Sequence, residues 1–185
     1  MALVVGIDEV GRGPLAGPLI ACACIINEDD AKIDDVMDSK KLSKTKRAAI
    51  ALLLQEKYEF GIGSSSVEEI DELNILNATK LAIIRAEAAL KQRTQIVLVD
   101  GDMKFEDERF CSIVKGDEKI YAISCASIIA KEYRDKLMQN LSEEYPRYDW
   151  ANNAGYGTKA HIDALRLYGP TPHHRRLFIR KICDI

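Results

Sequence analysis

Gly6-Ile7-Asp8-Glu9-Val10-Gly11-Arg12-Gly13-Pro14-Leu15-Ala16-Gly17-Pro18 is the stretch on which the reading of this chain turns. The apolar run Leu3 to Ile7 reads as a short buried strand, and it delivers two adjacent carboxylates at its end. Glycines and prolines follow at once, so the backbone turns sharply and bares its own N–H groups. Arg12 adds the one fixed positive charge. Side chains alternate along a strand, so Asp8 and Glu9 point in different directions unless the strand ends between them. Two carboxylates beside such a loop suit a divalent metal meeting a phosphate. The bland alternative is a β-turn with a solvated acidic pair. Neither G-x-G-x-x-G nor G-K-[ST] is present, so no nucleotide phosphate loop is indicated.

A chain of 185 residues fits one domain with a sizeable core. The formal net charge is −3, so any basic surface is local. Two clusters could supply it, Lys40 to Arg47 and His173 to Arg176, each of which could equally be a solvated helix face. The five cysteines are odd in number, and most sit among apolar residues. Cys22 and Cys24 face one side of an expected strand without a second pair to complete a zinc site, so they read as reduced core residues of a cytoplasmic protein. No signal peptide is read at the N-terminus, and no apolar run is long enough to span a bilayer.

Outward from the opening stretch, Leu19 to Ile26 reads as a strand forming a hairpin with the first. Ser43 caps a helix to about Glu56 with Ile50, Leu53 and Leu54 on one face. Tyr58 to Ser65 reads as a third strand, weakened by Gly61 and Gly63. Ser66 and Glu69 form a capping box. Asn74 caps a longer helix in which Leu76, Thr79, Ile83, Ala86 and Leu90 recur at helical spacing. Gln95 to Val99 is a buried strand ending at Asp100-Gly101-Asp102, and Phe110 to Val114 is another, followed by Lys115-Gly116-Asp117. Ile120 to about Leu141 is a long helix, and Tyr145 to Gly157 a loop without a clear period. Thr158 caps a helix through Leu167, and Pro172 opens a last short one.

Carboxylates therefore stand at strand ends or just before a helix at Asp8 with Glu9, at Asp100 and at Asp117. Four hard oxygen ligands would take magnesium or manganese rather than zinc. Two such ions activate a water and stabilise the leaving oxygen of a phosphodiester.

The chain resembles the ribonuclease HII family over nearly its full length. The blocks occur in family order: Asp8 to Gly13, Asp38-Ser39-Lys40-Lys41-Leu42-Ser43, Val99-Asp100-Gly101, Lys115-Gly116-Asp117, Ala126 to Lys131 with Arg134-Asp135, Gly155-Tyr156-Gly157-Thr158, and Tyr168 to Arg176. The resemblance implies an α/β protein of the RNase H-like fold, with a mixed five-stranded sheet flanked by helices. Residues 1–185 would be a single catalytic domain, about 143–185 forming a small helical C-terminal substrate-binding part. It implies an endonuclease acting on RNA·DNA hybrids and on DNA duplexes with an embedded ribonucleotide, cutting by two-metal-ion chemistry (Mg2+ or Mn2+) to leave 3′-hydroxyl and 5′-phosphate ends. Asp8, Glu9, Asp100 and Asp117 match the family's catalytic metal-binding acids. Gly11, Arg12 and Gly13 match the segment that reads the ribose 2′-hydroxyl, and Tyr156 the tyrosine that stacks on the following deoxyribose. Lys40, Lys131, Arg134 and Arg175 are read as phosphate contacts. A monomer without membrane contact or obligate protein partner is expected.

Some positions depart from the family pattern. Asp102 stands where asparagine is commoner and is read as facing solvent; Cys125 replaces a commoner alanine; Glu132-Tyr133 is less usual. Asp38, Asp135 and His161 are read as caps or ion-pair partners, and His173 and His174 as caps of the last helix or phosphate contacts. Three alternatives are weighed: the related ribonuclease HIII, which normally carries an extra N-terminal DNA-binding domain, a non-catalytic nucleic-acid-binding module, and a magnesium-dependent small-molecule phosphohydrolase. The four acids weigh against a pure binder, because negative charge repels phosphate.

Overall fold

The computed structural model describes residues 3–27, 29–37 and 42–183. Lys40, with the rest of Asp38 to Lys41, lies outside the described residues. Strand β1 (Leu3–Val10) and strand β2 (Leu19–Asn27) pair antiparallel, and β3 (Phe60–Ser65) adds antiparallel to β2. On the other side of β1, β4 (Val97–Asp100) and β5 (Phe110–Ile113) add in parallel, giving a mixed sheet of order β3-β2-β1-β4-β5. This is the mixed five-stranded sheet that the resemblance implies.

Alternation along the central strands sorts the core into two layers. Val5 and Ile7 of β1, with Ala21, Ala23 and Ile25 of β2, pack on helix α2 (Val67–Ala88). Cys22, Cys24 and Ile26 face helices α1 (Lys44–Lys57) and α3 (Tyr121–Glu144) on the opposite side. The cysteines Cys22, Cys24 and Cys125 are free and buried; burial pushes the Cys22 thiol up, and a hydrogen bond with Cys125, then burial, that of Cys24.

Ser43 caps α1, accepting from the Lys46 amide. Ile50, Ala51 and Leu54 turn inward, whereas Leu53, expected on that face, is exposed: Ala51 takes the inward slot. The capping box at Ser66 and Glu69 forms as expected. Asn74 breaks the backbone of α2 with a φ of 68° and caps its second half, accepting from the amides of Leu76 and Asn77. Thr79, Ile83, Ala86 and Leu90 of the expected series are buried, whereas Leu76, in the first turn after the break, is exposed. Gly61 and Gly63 meet the carbonyls of Ala86 and Ala82, so the glycines that weakened the strand reading are where α2 lies closest.

The chain after α3 is more helical than the expected loop. A 3-10 turn (Pro146–Tyr148) and the one-turn α4 (Trp150–Asn153) lead to α5 (Lys159–Tyr168), capped by Thr158. Helix α6 runs Arg176–Cys183, starting four residues after the Pro172 expected to open it. Its cap comes from far away: Asp71 on α2 accepts from the amides of Arg176 and Leu177 at 2.8 and 3.0 Å. No neighbouring sequence could announce that cap. Trp150, Leu165 and Ile179 form a third core that also takes in Ala16 and Met138, so the C-terminal helices are built onto the glycine-rich loop.

Candidate active site

Asp8 lies on the side of β1 that faces α3, the same side as Gly6. The strand continues to Val10, so Glu9 points to the opposite face. Ile7 pairs with Val99 in the parallel β1–β4 ladder, which puts Asp8 and Asp100 at the same level on neighbouring strands. Asp100 in turn pairs with Ile113, and the chain returns through Lys115, in left-handed backbone, to a 3-10 turn carrying Asp117. Topology alone thus gathers four acids scattered over the sequence at the C-terminal ends of two adjacent parallel strands.

Second contacts fix them. Asp8 accepts from the Glu9 amide at 2.7 Å and from the Ser127 side chain. Asp100 Oδ1 accepts from the Gly116 amide at 2.6 Å and the Asp117 amide at 3.4 Å. Ser124, one turn before Ser127 on α3, donates to the Asp117 carbonyl. Burial, then the neighbouring Glu9 and Asp100 charges, push the Asp8 carboxyl up to about 8. Burial also raises Glu9, against the pull of Arg12, whose guanidinium lies 3.5 Å away. Glu9 Oε2 is buried with no hydrogen-bond partner among the described residues. No three His, Cys, Asp or Glu side chains there stand ready as a metal-binding group. Asp102 is exposed, as expected.

Serines 124 and 127 were missed in the sequence. Their signal was present: two hydroxyls at i, i+3 in the apolar stretch that starts three residues after Asp117, on the helix face that β1 meets.

The glycine loop follows directly. Arg12 and Gly13 are exposed, and Tyr156 is 45% exposed. A Cβ on Gly13 would stand 3.5 Å from Tyr156 Cε1, so these two candidates, 143 positions apart, are neighbours. Lys131 is half-exposed and bonds Asp135 at 2.6 Å, while Arg47 bridges Asp135 and Glu132. Asp135 is thus an ion-pair partner.

Arg134 and Arg175 differ from expectation. Both are fully buried, and their guanidiniums donate to main-chain carbonyls beneath the loop, where no phosphate can reach them.

His161, read as a cap or ion-pair partner, and His174, read as a cap or phosphate contact, also depart from expectation. Trp150 Nε1 can only donate, so His161 Nε2 accepts it at 3.1 Å. His161 Nδ1–H then donates to the Tyr156 carbonyl at 2.9 Å, and His174 Nε2–H to His161 Nε2 at 3.0 Å. His174 Nδ1 accepts the Thr171 amide at 2.9 Å. The chain of bonds needs both rings neutral. Burial, with His161 adding to it, lowers His174 to about 4 from 6.5. The unfolded chain therefore binds a proton that the folded ring refuses between those values. The contribution of this ring to stability is full above pH 6.5 and is lost as pH drops towards 4, by about 2–3 kcal/mol. Urea unfolding at pH 7 and pH 4.5, compared between wild type and His174→Gln, checks this; an equal loss in both proteins would refute it.

Comparison with known proteins matches this geometry. The ribonuclease HII family profile covers residues 5–181. The ribonuclease HII of Orientia tsutsugamushi (strain Boryong) is 54% identical over 176 residues, covering 95% of this chain and 85% of that protein. That of Rickettsia africae is 51% identical, covering 95% of this chain and 91% of that protein. Among solved structures, the ribonuclease H2 from Pyrococcus horikoshii superposes with a TM-score of 0.80 at 27% identity, covering 99% of this chain and 98% of that one. The chain belongs to the ribonuclease HII family, endonucleases of the ribonuclease H type.

Proposed function

We propose that this enzyme hydrolyses the RNA strand of RNA·DNA hybrids and cuts on the 5′ side of single ribonucleotides embedded in duplex DNA, leaving 3′-hydroxyl and 5′-phosphate ends. What supports this most is one short turn of chain, Glu9 to Gly13, which joins the buried carboxylates to the exposed face beside Tyr156. An acid cluster that cleaves and a sugar-reading face thus share one surface.

Asp8, Glu9, Asp100 and Asp117 would fit a pair of hard divalent ions: every donor is a carboxylate oxygen, and Glu9 Oε2 is buried without a hydrogen-bond partner among the described residues while its carboxyl feels the Asp100 charge. Mg2+ or Mn2+, when bound, would supply an activated water and stabilise the leaving oxygen. The chain's own part is to hold the acids, through Ser127 on Asp8, the Gly116 amide on Asp100 and Ser124 on the Asp117 carbonyl. Gly11 to Gly13 would bring backbone against the ribose, where a side chain would intrude. Tyr156 would stack on the next deoxyribose. Lys131 would meet phosphate at the rim, and Lys40 is proposed for the same role on sequence grounds alone. Among the described residues no helix is long and apolar enough to cross a membrane. The free cysteines suit a reducing cytoplasm. A monomer with no obligate protein partner is our working reading.

A labelled DNA duplex with one ribonucleotide, incubated with enzyme and Mg2+ or Mn2+, is expected to give a single cut 5′ of that ribonucleotide, abolished by EDTA. Cleavage of an RNA·DNA hybrid alone would remove the junction-reading role from Gly11 to Gly13 and Tyr156. Intact substrates with both metals would favour a non-catalytic binder of the same fold.

A further inference from the structure

Arg134 and Arg175 are fully buried guanidiniums whose donors go to six main-chain carbonyls. Arg134 binds those of Ala16, Pro18 and Ala154 at 2.9 to 3.1 Å. Arg175 binds Gly11 at 2.6 Å, Arg12 at 3.1 Å and Gly17 at 2.7 Å. Burying a cation costs free energy unless its donors are well used, and here main-chain carbonyls use them. Burial, with Arg134 alongside, lowers the Arg175 pKa to about 9, which leaves it charged at neutral pH.

The geometry of the peptide group gives the cradle a consequence at the surface. In a planar trans peptide, C=O and the following N–H point in opposite directions, and the described residues contain no cis bond. Arg175 draws the Gly11 and Arg12 carbonyls inward. The amides of Arg12 and Gly13 must then face away from it, on the side where Arg12 and Gly13 are exposed. Gly11 makes the turn possible: its φ is +97°, and a Cβ there would overlap Arg134 Nε. Consecutive outward amides form an anion- or hydroxyl-binding concavity, and a cation on each carbonyl strengthens the N–H behind it.

We propose that Arg175 is a positioning residue: seated under the glycine loop with Arg134, it turns the Arg12 and Gly13 amides outward as a paired donor site for one substrate oxygen, a ribose hydroxyl or a backbone phosphate. This rests on the nucleic-acid substrate argued above and assigns Arg175 a role that touches no substrate. Lysine keeps the charge but cannot fork across three carbonyls.

Two full-length variants test it. One is Arg175→Lys. The other carries glycolic acid at position 13, an ester that lacks the Gly13 N–H and leaves the Arg12 carbonyl a weaker acceptor for Arg175, made by ligating synthetic residues 1–21 to the rest of the chain at Cys22. Each is assayed with wild type for thermal melting, for kcat and KM on the single-ribonucleotide duplex, and for binding of that duplex and its all-DNA counterpart with Ca2+ as the metal. The ester variant is expected to melt like wild type and to lose about tenfold or more in kcat/KM, the worth of one well-placed donor, and Arg175→Lys to lose at least as much. A binding loss confined to the ribonucleotide duplex identifies the ribose hydroxyl; an equal loss on both duplexes identifies phosphate. If the ester variant cuts as wild type does, the proposal is overturned, whether or not Arg175→Lys folds. If wild type itself leaves the ribonucleotide duplex intact, it is the function reading that has failed.

Discussion

Asp8→Asn is expected to abolish cleavage and, in metal-free protein, to raise stability. Asp8 sits buried beside Glu9 and Asp100, and its carboxyl is pushed up to about 8 from an ordinary 3.8. Between those values the folded chain holds a proton that the unfolded chain has released. Stability of the metal-free protein is therefore lost as pH rises through that window, the reverse of an ordinary ion-paired aspartate. Near pH 8 the accumulated cost approaches about 5 kcal/mol, and asparagine, neutral at every pH, escapes about 2 kcal/mol or more of it. Activity moves the other way: removing a carboxylate from the proposed metal-binding cluster is expected to cost roughly a thousandfold or more in rate. Urea melts of EDTA-treated wild type and variant at pH 5 and pH 8, beside a cleavage assay, read both effects. A variant that is less stable than wild type at pH 8, or that still cuts, would refute the assignment. If Asp8 holds a metal as proposed, the same sign makes binding stronger at higher pH, because Asp8 must shed its proton first.

Gly6→Ala is expected to cost about 3 kcal/mol or more and to remove most activity, though Gly6 carries no chemistry. Strand β1 crosses α3 at this residue, and a Cβ would overlap the Ala122 carbonyl and the Ile123 nitrogen. Helix backbone has no rotamer to relieve the clash, so strand and helix must part, and overpacking of this kind sits at the upper end of its usual range. Helix α3 also carries Ser124 and Ser127, which hold Asp117 and Asp8, so the displacement reaches the acids. In a chain of this size 3 kcal/mol lowers the melting temperature by about 6–12 °C. Gly101→Ala is the control: a Cβ there meets nothing, and only its φ of +99° adds strain, about 1–2 kcal/mol. Melting of Gly6→Ala within a degree or two of wild type would mean that β1 and α3 do not approach this closely.

Local physics was legible from the residues alone. The hairpin of β1 and β2, the caps at Ser43, Ser66, Asn74 and Thr158, and the strand ending at Asp100 each rest on neighbours within a few positions. Inward faces were less legible where two hydrophobes competed for one slot, as with Leu53 and Ala51. The start of α6 was not legible at all, since its cap is Asp71, more than a hundred residues upstream.

For the site, the sequence by itself determined the residue types: four acids each beside glycine or a strand end, a glycine-rich turn, and a tyrosine in an aromatic loop. Which of them meet was decided only by the tertiary structure. Parallel pairing of β1 with β4 levels Asp8 with Asp100, and the third core folds Tyr156 back onto Gly13. Burial likewise separated the arginines. Arg12, Arg134 and Arg175 carry the same charge in sequence, yet Arg12 reaches solvent beside Glu9 while the other two lie under the loop, bound to its carbonyls. A side chain's charge is fixed by its chemistry, but whether it meets a phosphate or a peptide depends on solvent exposure, which no local pattern encodes.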